Sequence, residues 1–126
     1  MEIRSTYCES YQTAVELLGK RWNGAIVAVL REGPRRYSQL GLTIPGLSER
    51  LLTERLKELE AAGIVVRRIL PGPPIGVEYE LTEAGLDLGP AIDAVGNWAQ
   101  KWVESGRAGR ASRRRHAVSR PAARAP

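Results

Sequence analysis

The stretch from Ser48 to Tyr79, SERLLTERLKELEAAGIVVRRILPGPPIGVEY, restricts the fold more than any other part of the chain. Ser48 is a residue type favoured at a helix N-cap, and Gly63 one favoured just past a helix end. Between them Leu52, Leu56 and Leu59 recur at helical spacing and mark a buried stripe. The opposite face of that helix carries Arg50, Thr53, Glu54 and Lys57, which are long or polar side chains. Ile64–Leu70 and Val77–Leu81 read as two strands, joined by the uncharged loop Pro71–Gly76.

Upstream, Ser10–Leu18 reads as a first helix ended by Gly19, and Trp22–Arg31 as a second, nearly all apolar and therefore buried. Gly33-Pro34 breaks it, Arg35-Arg36-Tyr37 suits a short strand, and Ser38–Leu42 a brief helix. Pro45-Gly46 then turns the chain into the Ser48 helix. Downstream, Thr82 and Glu83 open a long helix that Gly89-Pro90 must kink or restart, since an interior proline costs roughly 3 kcal/mol or more. Ile92, Val95, Ala99 and Trp102, with Trp98 beside them, form an apolar stripe suited to a dimer interface or to packing on the first helix. A polar-faced helix followed by a β-hairpin is the layout of a winged helix-turn-helix, which points to sequence-specific DNA binding. The expected fold class is mainly α with a small β-hairpin, its terminal helices forming a dimer interface. Residues 1–105 form one domain in this reading, followed by an Arg-rich disordered tail over 106–126.

Charge is unevenly spread. The net charge is −2 over residues 1–19, +5 over 20–70, −5 over 71–105 and +7 over 106–126. Cationic charge thus lies on the helix-hairpin segment and the tail, as a basic DNA-facing side requires. The tail's arginines add sequence-independent affinity or are simply solvated. The longest apolar run, Ala25–Leu30, is too short to span a bilayer, and MEIRSTYCESYQ lacks a signal-peptide core. The expectation is a cytoplasmic protein with no membrane partner. The lone histidine, His116, lies in the tail, no Gly-rich phosphate loop opens a helix, and the carboxylates Glu54, Glu58 and Glu60 are helix-surface charges. An enzyme, a metal site and a cofactor are therefore not expected. The single cysteine, Cys8, excludes an intramolecular disulfide.

The segments LLGKRWNGAIVAVLREGPRR, LSERLLTERLKELEAAGIVVR and VEYELTEAG occur in that order and together resemble the HxlR family of bacterial transcriptional regulators over roughly residues 7–103. The resemblance implies a winged helix-turn-helix homodimer on a short palindromic operator in double-stranded DNA, repressing or activating nearby genes. Some members sense quinones, aldehydes or other electrophiles through a cysteine just before the first helix. Cys8 matches that position, although Glu9 follows it where many members have proline.

In such a fold the N-terminal half of the reading helix meets base edges. Arg50 is suited to a guanine and Thr53 to a thymine methyl. Glu54 suits a cytosine amine or a pairing with Arg50, and Lys57 a phosphate. Ser48 and Glu49, at the helix start, join the set. Arg55 falls near the buried stripe and is read as structural, paired with an acid. Arg35, Arg36, Ser38 and Gln39 open the preceding helix, where phosphate is gripped. Arg67 and Arg68 face opposite sides of a strand, and Arg68 is assigned to DNA. Cys8, at or next to a helix N-cap, is either a redox sensor of lowered pKa or an inert residue at the dimer seam. Two further readings stay open: control by a small molecule near Trp22, Trp98 or Trp102, and a winged-helix protein–protein adaptor with no operator.

Overall fold

A computed structural model describes residues 8–106; the expected tail, beyond Gly106, and His116 lie outside them. The chain divides into two compact units between Gly89 and Pro90. The first holds α1 (Glu9–Gly19), α2 (Asn23–Leu30), β1 (Arg35–Arg36), α3 (Tyr37–Thr43), α4 (Glu49–Ala61), β2 (Val65–Leu70), β3 (Gly76–Leu81) and α5 (Glu83–Asp87). It is the expected winged helix-turn-helix.

Local chemistry sets the ends of α4. The Ser48 hydroxyl accepts from the Leu51 N–H at 3.1 Å, satisfying a donor that the helix itself leaves unpaired. At the other end Gly63 takes φ +79°, a left-handed turn that glycine adopts without a Cβ clash. The stripe of Leu52, Leu56 and Leu59 is fully buried. It shares the core with Ile26, Val27 and Leu30 of α2, Leu40 of α3, and Val65, Tyr79 and Leu81 of the sheet. Each such aliphatic side chain contributes roughly 1.5–3 kcal/mol by leaving water.

α1 ends at Gly19, as expected, with Lys20 as its C-cap, and the left-handed residue of the following turn is Trp22 (φ +81°). The ring of Trp22 lies 3.5 Å from where a Cβ on Gly46 would stand, so it packs on the turn before α4. Asn23, fully buried, donates from Nδ2 to the Leu17 carbonyl at 2.8 Å and joins the end of α1 to the start of α2.

The wing is a three-stranded antiparallel sheet in the order β1-β3-β2. Its hairpin register pairs Val65 with Leu81 and Arg67 with Tyr79. The two-residue β1 covers the other edge of β3, pairing Arg35 with Tyr79. The long helix expected after Thr82 is split. Thr82 caps α5, its hydroxyl accepting from the Gly85 N–H at 3.1 Å, and α5 ends at Asp87. A new helix, α6 (Gly89–Trp98), then carries Pro90 in its first turn, where a missing N–H costs nothing, and continues as a π-helical segment, Ala99–Glu104. Among the described residues no helix is long and apolar enough to cross a membrane.

Candidate nucleic-acid interface

Helices α3 and α4 form the helix-turn-helix pair, joined through a turn with Gly46 at φ +86°. Burying the leucine stripe of α4 forces its other face outward. The Arg50 side chain is 89% exposed, and Ser48, Glu49, Glu54 and Lys57 are also exposed. Arg50 Nε lies 3.5 Å from Glu54 Oε2. At that exposure the pair is worth only about 0.3–0.5 kcal/mol, so a base or phosphate competes with it easily.

Thr53 is held differently. Its hydroxyl lies 2.8 Å from the Tyr37 hydroxyl, and Tyr37 donates to the Glu49 carbonyl at 3.1 Å. Tyr37, placed in a strand by sequence, is the first residue of α3 and ties that helix to α4. No local pattern announces a contact across 16 positions.

The start of α3 separates the four residues assigned there. Arg36 and Ser38 are exposed. Gln39 acts as a cap, its Oε1 accepting the Arg36 N–H at 2.9 Å. Arg35 is engaged within its own loop. Its guanidinium donates to the Gly33 carbonyl at 3.1 Å, the Pro34 carbonyl at 3.2 Å and Glu32 at 3.0 Å, leaving its side chain 26% exposed. It braces the loop between α2 and β1.

On the wing Arg67 and Arg68 lie on opposite faces of β2, as their adjacent strand positions require. Arg67 shares its face of β2 with buried Val65 and lies opposite Tyr79, the side on which the sheet meets α4. Arg68 faces the other way and is ion-paired with Glu80. Two clefts flank Arg67. One, of about 420 Å³, is lined by Arg36, Tyr37, Ser38, Arg67 and Ile75; the other, of about 380 Å³, by Thr53, Lys57, Glu60 and Arg67, with Tyr79 in the wall of both. The alternation Val65, Arg67, Ile69 carried this information, because period two puts Arg67 on the core side.

Behind α4, a polar clamp fixes it to the turn after α1. Lys20 Nζ lies 2.9 Å from Glu58 Oε2, Arg55 Nε donates to the Arg21 carbonyl at 2.9 Å, and Arg55 reaches Glu58 at 3.4 Å. Arg55 is thus structural and acid-paired, as expected. The hydrogen bond from Lys20, assisted by the positive charges of Lys20 and Arg55, holds the Glu58 carboxyl below its ordinary range against a smaller opposing effect of burial. A carboxylate with a folded pKa below its unfolded one stabilises the fold above the unfolded pKa, and that contribution is lost as pH falls through the folded value. Glu58→Gln is therefore expected to lower the unfolding free energy at neutral pH, by at most about 1 kcal/mol for so exposed a pair. The gap should close below the carboxylate range, and urea titrations at both pH values check it.

Cys8 is the N-cap of α1. Its Sγ accepts from the Tyr11 N–H at 3.3 Å, and the residue is half-buried. Glu9 follows it in the first turn.

Residues 17–107 match the HxlR-like helix-turn-helix family. The chain belongs to that family. It is a transcriptional regulator of the helix-turn-helix type that binds DNA, not an enzyme. Among relatives of this HxlR-like chain is the HTH-type transcriptional regulator YodB of Bacillus subtilis (strain 168), 45% identical over 102 residues, which span 81% of this chain and 91% of that protein. The reduced form of YodB from B. subtilis superposes with a TM-score of 0.72 at 44% identity, covering 79% of this chain and 97% of that one. The quinone-bound form gives 0.67 at 43% identity, covering 75% and 99%.

Proposed function

We propose that this HxlR-family chain acts as a homodimer that reads a palindromic operator with α4 and loses or gains that operator when Cys8 is oxidised or alkylated. The sulfur at the N-cap of α1 carries the sensing half of this reading. Cys8 Sγ accepts the Tyr11 N–H at the start of α1 and is half-buried, and a cysteine sulfur is the group that reacts with oxidants and electrophiles. The quinone-bound form of its relative YodB supports an electrophile as the signal.

The reading face comprises Ser48, Glu49, Arg50, Thr53, Glu54 and Lys57, with Arg36, Ser38 and Arg67 at the flanking clefts. Arg50 and Thr53 meet base edges and the other cations meet phosphate. The homodimer is supported by two apolar faces that the single chain leaves in water. No residue of α1 is buried, and Tyr11 and Val15 lie exposed on it. In the second unit Val95, Trp98 and Trp102 are more than half exposed. Covering these faces with a second copy fixes the spacing of two α4 helices, which must stand about 34 Å apart to enter successive major grooves. A change at the start of α1 then alters operator affinity through that spacing.

The test uses a duplex enriched from random DNA by the reduced protein, read by fluorescence anisotropy at fixed salt. Diamide should shift the affinity of the wild type and dithiothreitol restore it, while Cys8→Ser should bind like the reduced wild type and ignore diamide. A wild type indifferent to diamide would remove the thiol from the mechanism and leave the DNA reader.

A further inference from the structure

We infer that Tyr37 sets the hydrogen-bonding polarity of Thr53, so that α4 reads an exocyclic amino group, adenine N6 or cytosine N4, at the base pair Thr53 faces. The inference rests on the proposed use of α4 as the reading helix. Three oxygens meet at one point: the Tyr37 hydroxyl, the Thr53 hydroxyl 2.8 Å from it, and the Glu49 carbonyl 3.1 Å from it. A carbonyl can only accept, and each hydroxyl has one proton to give. The Tyr37 proton therefore goes to the Glu49 carbonyl, and the Thr53 proton goes to the Tyr37 oxygen.

Thr53 is left with lone pairs and a methyl group for anything that approaches α4. The residue is half-buried and lines the cleft beside Lys57 and Arg67, so this side is open to a ligand. In the major groove only adenine N6 and cytosine N4 donate; guanine O6 and thymine O4 accept. A hydroxyl whose proton is committed elsewhere pairs with the first two and meets the second two lone pair to lone pair. A free threonine would rotate its proton and tolerate either. Tyr37 is thus a positioning residue that converts a permissive side chain into a selective one.

The experiment compares wild type, Tyr37→Phe and Thr53→Val on the enriched duplex and on copies in which single bases lose only their amino group, purine for adenine or 2-pyrimidinone for cytosine. Thr53→Val keeps shape and methyl and locates the base pair. There the wild type should lose about five-fold in affinity on removal of the amino group, the size of one hydrogen bond. Thr53→Val should not distinguish the two duplexes. Tyr37→Phe, with melting curves showing it folded, should retain its grip on the rest of the operator yet accept a keto base at that pair. The proposal is overturned if Tyr37→Phe and wild type keep the same base preferences throughout, or if the pair located by Thr53→Val favours guanine or thymine keto groups. Failure of the wild type to enrich any duplex would instead bring down the reading of α4 itself, and the relay with it.

Discussion

Leu52→Ala should lower the unfolding free energy by about 2–5 kcal/mol, read from urea denaturation followed by far-UV circular dichroism. Leu52 is wholly buried, and its Cδ2 lies 4.0 Å from where a Cβ on Gly41 of α3 would stand. It packs against α3 from α4 within the reading pair. Truncation removes its transfer energy and leaves a cavity that the surrounding core fills only partly. A domain of this size holds roughly 5–15 kcal/mol in all, so the loss is a large share of its stability. Leu52→Met, which conserves volume, should cost less than about 1.5 kcal/mol. A loss below about 1 kcal/mol for the alanine variant would mean that the pair is not packed through this residue.

Arg50→Ala should cost about 1–3 kcal/mol of operator binding, roughly 5- to 150-fold, and relax the preference at one base pair. The side chain is 89% exposed and ion-paired with the exposed Glu54, so its removal leaves no buried charge behind and stability should stay within about 0.5 kcal/mol of wild type. This separates it from Leu52→Ala, whose effect on DNA would follow from the loss of fold. It also separates a base contact from a phosphate contact. Lys57→Ala should weaken all duplexes about equally and reduce the salt dependence of binding by roughly one counterion.

The parts of this molecule that were legible in the sequence are those decided by neighbours along the chain. Ser48, Gly63 and Thr82 act on backbone groups within a few residues, so their roles as caps and stops follow from residue type and position. Pro90 likewise announced the break after α5. Contacts between distant segments were not legible. Lys20 meets Glu58 across 38 positions and Tyr37 meets Thr53 across 16, and neither pairing leaves a trace in local periodicity. Arg35 illustrates a related difficulty. As a cation at the start of a helix-turn-helix it suits phosphate, and only the fold shows Glu32 and two loop carbonyls in front of it. Arg67 was within reach, because the alternation that buries Val65 also directs Arg67 toward α4, but the side of the sheet facing α4 had first to be known.

Fluorescence anisotropy of the reduced wild type and of Arg50→Ala, on an enriched duplex and on a scrambled duplex of equal length and at one fixed salt concentration, tests most directly whether this face of α4 reads sequence. The wild type should prefer the enriched duplex by about 10³-fold or more, and Arg50→Ala should lose much of that preference while binding the scrambled duplex nearly as well as before. Equal binding of both duplexes by the wild type, or an Arg50→Ala variant whose preference is unchanged, would contradict it.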